Sequence, residues 1–324
     1  MTININKMRL LLRITVVCLL IFIIQCQATT VQAAQNSKTD SGASKVYMRG
    51  LYIPNHHSRN LKFVKSLISK GKPYGINMLV FDVHSYGSTI LKVNSSVIEY
   101  LKSEKIYVAG RVVCFQDGIT KLPIPAGQMK ILTDLVSSAA DSGFDEIQLD
   151  YIRFADAKMP YSLKRRYEVI EDMLKNFRNI TDERKIKLSA DVFGRVVYNK
   201  DDLIGQKLEL FAAYTDVIYP MLYPSHFNLD KKKMSEPGET VKDGVNSGVS
   251  RLEGKKVFIQ PYIQAFDYNI YHAKVKLDKY VALQIKGVEE TGARGWVAWN
   301  PNGDYSSVFS GINIINIEMV AKTE

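Results

Sequence analysis

Between Lys45 and Pro301, short apolar runs alternate with stretches of helical period, and the alternation repeats eight times. The apolar runs are VYMRGLYIP (46–54), NMLVFDVHS (77–85), KIYVAGRVVCF (105–115), EIQLDYIRF (146–154), KLSADVFG (187–194), DVIYPMLYPS (216–225), KVFIQPYIQAF (256–266) and GWVAWNP (295–301). Their length and β-branched and aromatic content predict strands, and their near-continuous hydrophobicity predicts burial on both faces, as in a parallel sheet covered by helices. Helix faces are marked between them by Leu61, Val64, Leu67 and Ile68, by Val97 to Leu101, by Leu132, Leu135, Val136 and Ala139, and by Val169, Ile170, Met173, Leu174 and Phe177. The segment up to Tyr214 reads as largely helical, Val241, Val245, Val249 and Leu252 mark a glycine-diluted helix, and Val281, Gln284, Ile285 and Val288 mark the last clear one. Ile312, Ile314, Ile315 and Ile317 in the tail fit either a helix or an edge extension.

Eight strands and seven helices over about 257 residues match the roughly 250 residues of a single-domain (β/α)₈ barrel. A doubly wound open sheet is disfavoured, because no glycine-rich phosphate turn follows the first strand.

The chain opens differently. Lys7, Arg9 and Arg13 precede an uncharged apolar run, Ile14 to Ile24, too short to span a bilayer, and Val31-Gln32-Ala33 supplies small residues for cleavage. A signal peptide over 1–33, a disordered polar leader over 34–44 and a barrel domain over 45–324 are expected, with the protein exported and either released or held at the envelope through its N-terminal segment. Lys7, Arg9 and Arg13 contribute three of the ten excess positive charges, and the remaining basic residues are dispersed, apart from Lys231-Lys232-Lys233. That pattern argues against a nucleic-acid groove and leaves room for attraction to anionic envelope polymer. Beyond the leader only Cys114 remains, so no internal disulfide is available and stability rests on the core.

In a barrel of this kind the C-terminal ends of the strands form the active-site mouth. On the fourth strand, alternation sends Gln148 and Asp150 inward and Ile147, Leu149 and Tyr151 outward; on the fifth it sends Ser189 and Asp191 inward. A carboxylate late in a buried strand is expensive to desolvate unless it is paired or catalytic. Two acids on neighbouring strand ends suit glycoside hydrolysis, in which one stays ionised and the other, its pKa raised, protonates the leaving oxygen. Asp150 is assigned the nucleophile or stabilising role, Asp191 the acid, and Asp82 stands as the substitute for either. Carboxylates held by Arg153 or Arg195 in a purely structural pair are the alternative. Arg153, His84, Tyr223, His226, Tyr262, Gln264, Trp299 and Asn300 also fall at strand ends. Tyr219, Tyr223, Tyr262 and Trp299 offer flat faces for sugar rings, with core packing as the competing use of such residues.

SGFDEIQLDYIRF (142–154), LSADVFG (188–194), TDVIYPMLYPSHF (215–227), FIQPYIQAF (258–266) and GARGWVAWNP (292–301) resemble a bacterial family of glycoside-hydrolase-like TIM barrels whose fourth strand reads GFDEIQxDYxRF. RGLYIP and FDVHSYG (81–87) fit its first two strands, so the resemblance runs from about Tyr47 to Pro301. It implies an extracytoplasmic carbohydrate-active barrel, with Asp150 and Asp191 as strand-end acids and Tyr223, His226, Gln264, Trp299 and Asn300 in the pocket. The expectation is a monomeric glycosidase acting on a polysaccharide or oligosaccharide without a cofactor or metal. Two alternatives are a non-catalytic carbohydrate-binding barrel and a metal-dependent hydrolase using His56, His57, Asp82, His84 and His226, although the His-x-His of metal barrels is absent from the first strand. Lys231 to Gly254, charged and rich in glycine, is expected to form a mobile flap.

Overall fold

A computed structural model describes residues 46–321, apart from Tyr86 and Thr89. The signal and leader segments expected over 1–44 lie outside the described residues. All eight expected strands form: β1 (Met48–Ile53), β2 (Met78–Asp82), β3 (Tyr107–Val113), β4 (Glu146–Asp150), β5 (Lys187–Phe193), β6 (Val217–Met221), a seventh in two pieces, β7 (Phe258–Ile259) and β8 (Tyr262–Gln264), and β9 (Gly295–Trp299). Every pairing between them is parallel, β1 closes on β9, and the order runs unbroken round the ring, so the sheet is a closed eight-stranded barrel. The seventh strand breaks at Gln260-Pro261, where proline has no N–H to give to the ladder.

The helices are α1 (Leu61–Gly71), α2 (Ser95–Ser103), α3 (Ala126–Ala140), α4 (Leu163–Glu183), α5 (Leu208–Ala212), α6 (Lys231–Ser235), α7 (Pro237–Arg251), α8 (Leu277–Glu289) and α9 (Ser306–Val320). Side-chain caps start two of the long ones: Asn60 accepts from the Phe63 N–H at 2.9 Å and Ser162 from the Arg165 N–H at 3.2 Å, each satisfying a donor left free in a first turn. The turn after α3 uses Gly143, whose φ of 90° a side chain would resist. Outward strand residues such as Leu51, Phe81, Ile147, Leu149 and Ala190 pack with helix residues such as Leu135, Ile170, Val241 and Ile285 in one continuous core.

Two sequence expectations change, and one open between a helix and an edge extension resolves as a helix. The stretch between β5 and β6 holds only a 3₁₀ turn, Gly194–Val197, and the five-residue α5. The tail forms α9, with Val308, Ile312 and Ile315 buried. Lys231 to Gly254 is not a flap: α7 is a barrel helix with Thr240, Val241, Gly244, Val245 and Gly248 buried. Its glycines serve packing, since a Cβ on Gly287 of α8 would lie 2.2 Å from the Gly238 carbonyl oxygen; α7 and α8 meet backbone to backbone.

Candidate active site

The inward residues of the strands stack in layers. At the N-terminal end, Glu146 accepts from Tyr219 Oη at 2.7 Å, from Tyr107 Oη at 2.9 Å and from Arg294 Nη1 at 3.2 Å. Tyr219, expected at the mouth, therefore belongs to the floor. Above it, Tyr262 donates to Gln148 at 2.8 Å, a fully buried contact that keeps Gln148 below the cavity.

The top layer carries charge. Arg111, inward on β3, pairs through Nη1 with Asp82 and through Nη2 with Asp150, and its Nε lies 3.0 Å from Asp150 Oδ2 and 3.3 Å from Asp191 Oδ2. Tyr52 donates to the other oxygen of Asp82, and the Arg111 guanidinium lies over the Tyr52 ring at 5.5 Å. Burial opposes the charge on Arg111, but Asp82 and Asp150 outweigh it and hold the guanidinium firmly protonated. Asp191 is the reverse case. Burial first, then the charge of Asp150 and a hydrogen bond with it, raise its carboxyl well above the usual carboxylate range, against the pull of Arg111. Burial and the like charge of Asp150 thus favour the protonated form of Asp191.

The ends of β4 and β5 are fastened to each other. Gln206 accepts from the Phe193 N–H at 2.8 Å, and its amide reaches the carbonyls of Ile152 and Asp191 at 3.4 Å. Tyr151 adopts a left-handed φ of 55°, and its N–H meets Asp150 Oδ1 at 2.5 Å. This backbone turn overrides strand alternation. Tyr151, expected to face the helices, lines the cavity instead, edge-on to Phe193 at 6.5 Å.

Above Asp150 and Asp191 opens a cavity of about 550 Å³. Its aromatic wall joins Trp299 to Phe266 (5.2 Å between ring centres), to Tyr52 (5.7 Å, stacked) and to Tyr223 (6.1 Å), while Tyr223 meets His226 at 5.1 Å. Flat rings around two acids can hold the apolar faces of a sugar while presenting protons and charge to its oxygens.

Of the residues singled out in sequence, Asp150, Asp191, Tyr223, His226, Tyr262 and Trp299 line this cavity. Asp82 stands behind them as a partner of Arg111 and Tyr52. The others hold the mouth in shape. His84 is buried, accepts from the Val113 N–H at 3.1 Å through Nε2 and meets the Ser85 carbonyl at 2.9 Å through Nδ1, which leaves neither nitrogen for a substrate or metal. Arg153 donates to the carbonyls of Gln116 (2.7 Å) and Phe154 (3.1 Å) and lies over the rings of Tyr151 and Phe193. Gln264 donates to the carbonyls of Phe266 and Tyr268, and Asn300 to that of Ala265 at 2.7 Å.

The histidines do not converge. His57 stacks on Phe63 at 3.8 Å, His226 sits at the cavity rim, and no three His, Cys, Asp or Glu side chains among the described residues are grouped to hold a metal ion. Neither Arg153 nor Arg195 is the partner of the strand-end acids: Arg195 pairs with Asp202 at 2.8 Å and Asp156 at 2.9 Å. That partner is Arg111, which sequence reasoning missed. The signal was present, since an arginine inside YVAGRVV (107–113) cannot be buried without an anion.

Residues 126–305 match the family model described as "Putative glycosyl hydrolase domain". No curated protein matches the chain. Among solved structures, the glycoside hydrolase domain of PgaB (BpsB) from Bordetella bronchiseptica is similar at TM-score 0.59 and 11% identity, covering 80% of this chain and 95% of that one. A chitinase from Chromobacterium violaceum gives 0.58 at 13% identity over 83% and 98% of the two chains. The endo-1,4-beta-mannanase from Rhizomucor miehei gives 0.61 at 12% identity over 85% and 95%. At these identities the likeness is one of fold.

Proposed function

The chain belongs to that glycosyl hydrolase domain family, and from this premise we propose that it is an exported enzyme cleaving glycosidic bonds in a polysaccharide or cell-wall glycan, with Asp191 as proton donor and Asp150 as nucleophile. Asp82, first considered a substitute for either acid, is assigned to orienting Arg111. The observation that carries the reading is the pairing of Asp191, its carboxyl pKa raised by burial and by Asp150, with Asp150 on one arginine at the base of an aromatic cavity. Bonds of 3.0 and 3.3 Å to a single nitrogen keep the two Oδ2 atoms at most about 6.3 Å apart, closer than the ~6.5–9.5 Å that inverting pairs need to admit a water.

A separation below the inverting range leaves retention as the outcome proposed. Asp191 passes its proton to the glycosidic oxygen as the bond from that oxygen to the anomeric carbon breaks, and Asp150 forms a bond to the same carbon. Water then attacks that carbon, gives its proton to the Asp191 carboxylate and releases Asp150, leaving both acids as they began. Arg111 and the Tyr151 N–H orient Asp150 throughout. The N-terminal segment supports the export reading, and the scattered positive charge supports an anionic envelope polysaccharide as substrate.

Reducing-end release from chitin, β-mannan and bacterial exopolysaccharides, wild type against Asp150→Asn, tests the assignment. Release by wild type, abolished in the variant, with the product's anomeric configuration retained by NMR, is the expected result. Binding of a glycan with no release from any of them would instead identify a non-catalytic carbohydrate-binding barrel, and inverted product would remove Asp150 as nucleophile.

A further inference from the structure

The two most exposed aromatic side chains among the described residues, Tyr268 at 53% and Tyr271 at 69%, sit three residues apart on the loop between β8 and α8. Leaving large rings in water forgoes burial that the core elsewhere achieves for Tyr219, Tyr262, Tyr280 and Tyr305. The loop that carries them is built rather than slack. Gln264 donates to the Phe266 carbonyl at 3.1 Å and the Tyr268 carbonyl at 2.9 Å, while its own oxygen accepts from the Ser225 N–H and Tyr280 Oη, both at 3.3 Å. Asn269 and Lys274, with φ of 53° and 54°, bracket a single 3₁₀ turn, Ile270–Ala273, that contains Tyr271. Two left-handed non-glycine residues in one short loop fix its course.

The rings continue outward from the cavity. Trp299 meets Phe266 at 5.2 Å, Phe266 meets His226 at 6.2 Å, and His226 meets Tyr268 at 6.2 Å, so the aromatic wall runs without a gap from the acids to the mouth. Tyr268 still borders the cavity; Tyr271, its ring tilted against His272 at 4.1 Å, lies beyond it.

Resting on the glycosidase reading, we infer that this loop is a second carbohydrate subsite, leading out from the rim of the catalytic cavity, where Tyr268 and Tyr271 stack on sugar rings of the same chain that the cavity holds. The ligand is a glycan long enough to fill the cavity and continue over the loop, which makes the enzyme one that selects polymer over short oligosaccharide. Continuity with the cavity favours this occupant over a protein partner.

The test uses Asp150→Asn, which binds without cleaving, so that its outcome does not depend on turnover. Affinities for β-1,4-linked N-acetylglucosamine and mannose oligomers of two to six units are read from tryptophan fluorescence, Trp299 being at the cavity wall. Affinity is expected to rise with length in at least one series, and adding Tyr271→Ala is expected to weaken the longest oligomer about 3- to 10-fold, with the loss shrinking toward the dimer. A flat length dependence in both series, or a rise that survives Tyr271→Ala, overturns the subsite; the latter is also what a protein-docking surface would give. Failure of the glycosidase reading shows separately, as absence of release by wild type.

Discussion

Arg111 reaches Asp150 Oδ2 with two of its nitrogens, Nε at 3.0 Å and Nη2 closer still, from the neighbouring strand. The fork is what lets one cation serve Asp82 on one side and Asp191 on the other. Arg111→Met leaves buried carboxylates without a counter-charge and should cost about 3–5 kcal/mol, measured by urea unfolding at neutral pH. Arg111→Lys keeps the charge but not the fork, and glycan release should fall at least about tenfold. A loss below about 1 kcal/mol for the methionine variant would mean that the acids do not depend on this arginine.

The raised pKa of Asp191 sets the direction of two pH dependences. Its proton is held more tightly in the folded chain than in the unfolded one, so its contribution to stability is full below the ordinary carboxylate range, near 4, and is lost as pH rises through the folded value. Catalysis depends on the same proton. Glycan release should therefore fall on the alkaline side as Asp191 ionises, and Asp191→Asn should abolish that limb together with most activity toward natural glycans. Aryl glycosides whose leaving group needs no proton should be spared in the first step. An alkaline limb unchanged in Asp191→Asn would assign the acid elsewhere.

Much of this arrangement was legible in the sequence because strand alternation is a strong constraint. Gln148, Asp150, Ser189 and Asp191 point inward as their parity requires, with Leu149 and Ala190 in the outer core. Parity failed at Tyr151, where the strand ends and a left-handed residue redirects the side chain; no local pattern in DYIRF announces that turn. Being at a strand end also proved weaker than being aimed into the mouth. Gln264 and Asn300 occupy such ends, yet their amides fasten loop carbonyls, and Gln206, which ties β4 to β5, lies in a connection without periodicity. Long-range hydrogen bonds of this kind depend on how connections fold back over the barrel, which the one-dimensional pattern does not encode.

The left-handed backbone at Tyr151 can be measured by comparing two substitutions that both remove the ring. A β-carbon disfavours this region by roughly 1–2 kcal/mol, and glycine has none. Tyr151→Gly should therefore be at least as stable as Tyr151→Ala, despite glycine's greater unfolded-state entropy, and both should bind glycan more weakly than wild type. The reverse order in urea unfolding would show that residue 151 relaxes out of this conformation once the ring is gone.

His84 separates a residue that shapes the mouth from one that touches substrate. Its Nε2 accepts the Val113 N–H at the end of β3, so the ring must be neutral, and burial lowers its pKa. A lowered histidine pKa means that the unfolded chain takes up the proton more readily. Stability from this group is full above the ordinary histidine value, near 6.5, and is lost as pH falls through it toward the folded value. His84→Ala, which leaves the Val113 N–H buried without an acceptor, should lose about 1–3 kcal/mol at neutral pH. Part of the wild type's fall in stability below about pH 6.5 should vanish in that variant, while glycan affinity per folded molecule stays within about twofold of wild type, since His84 lies outside the cavity lining. Urea unfolding across that pH range, set beside the affinity of the folded variant, decides the matter: a variant as stable as wild type whose glycan binding collapses would return His84 to the substrate site.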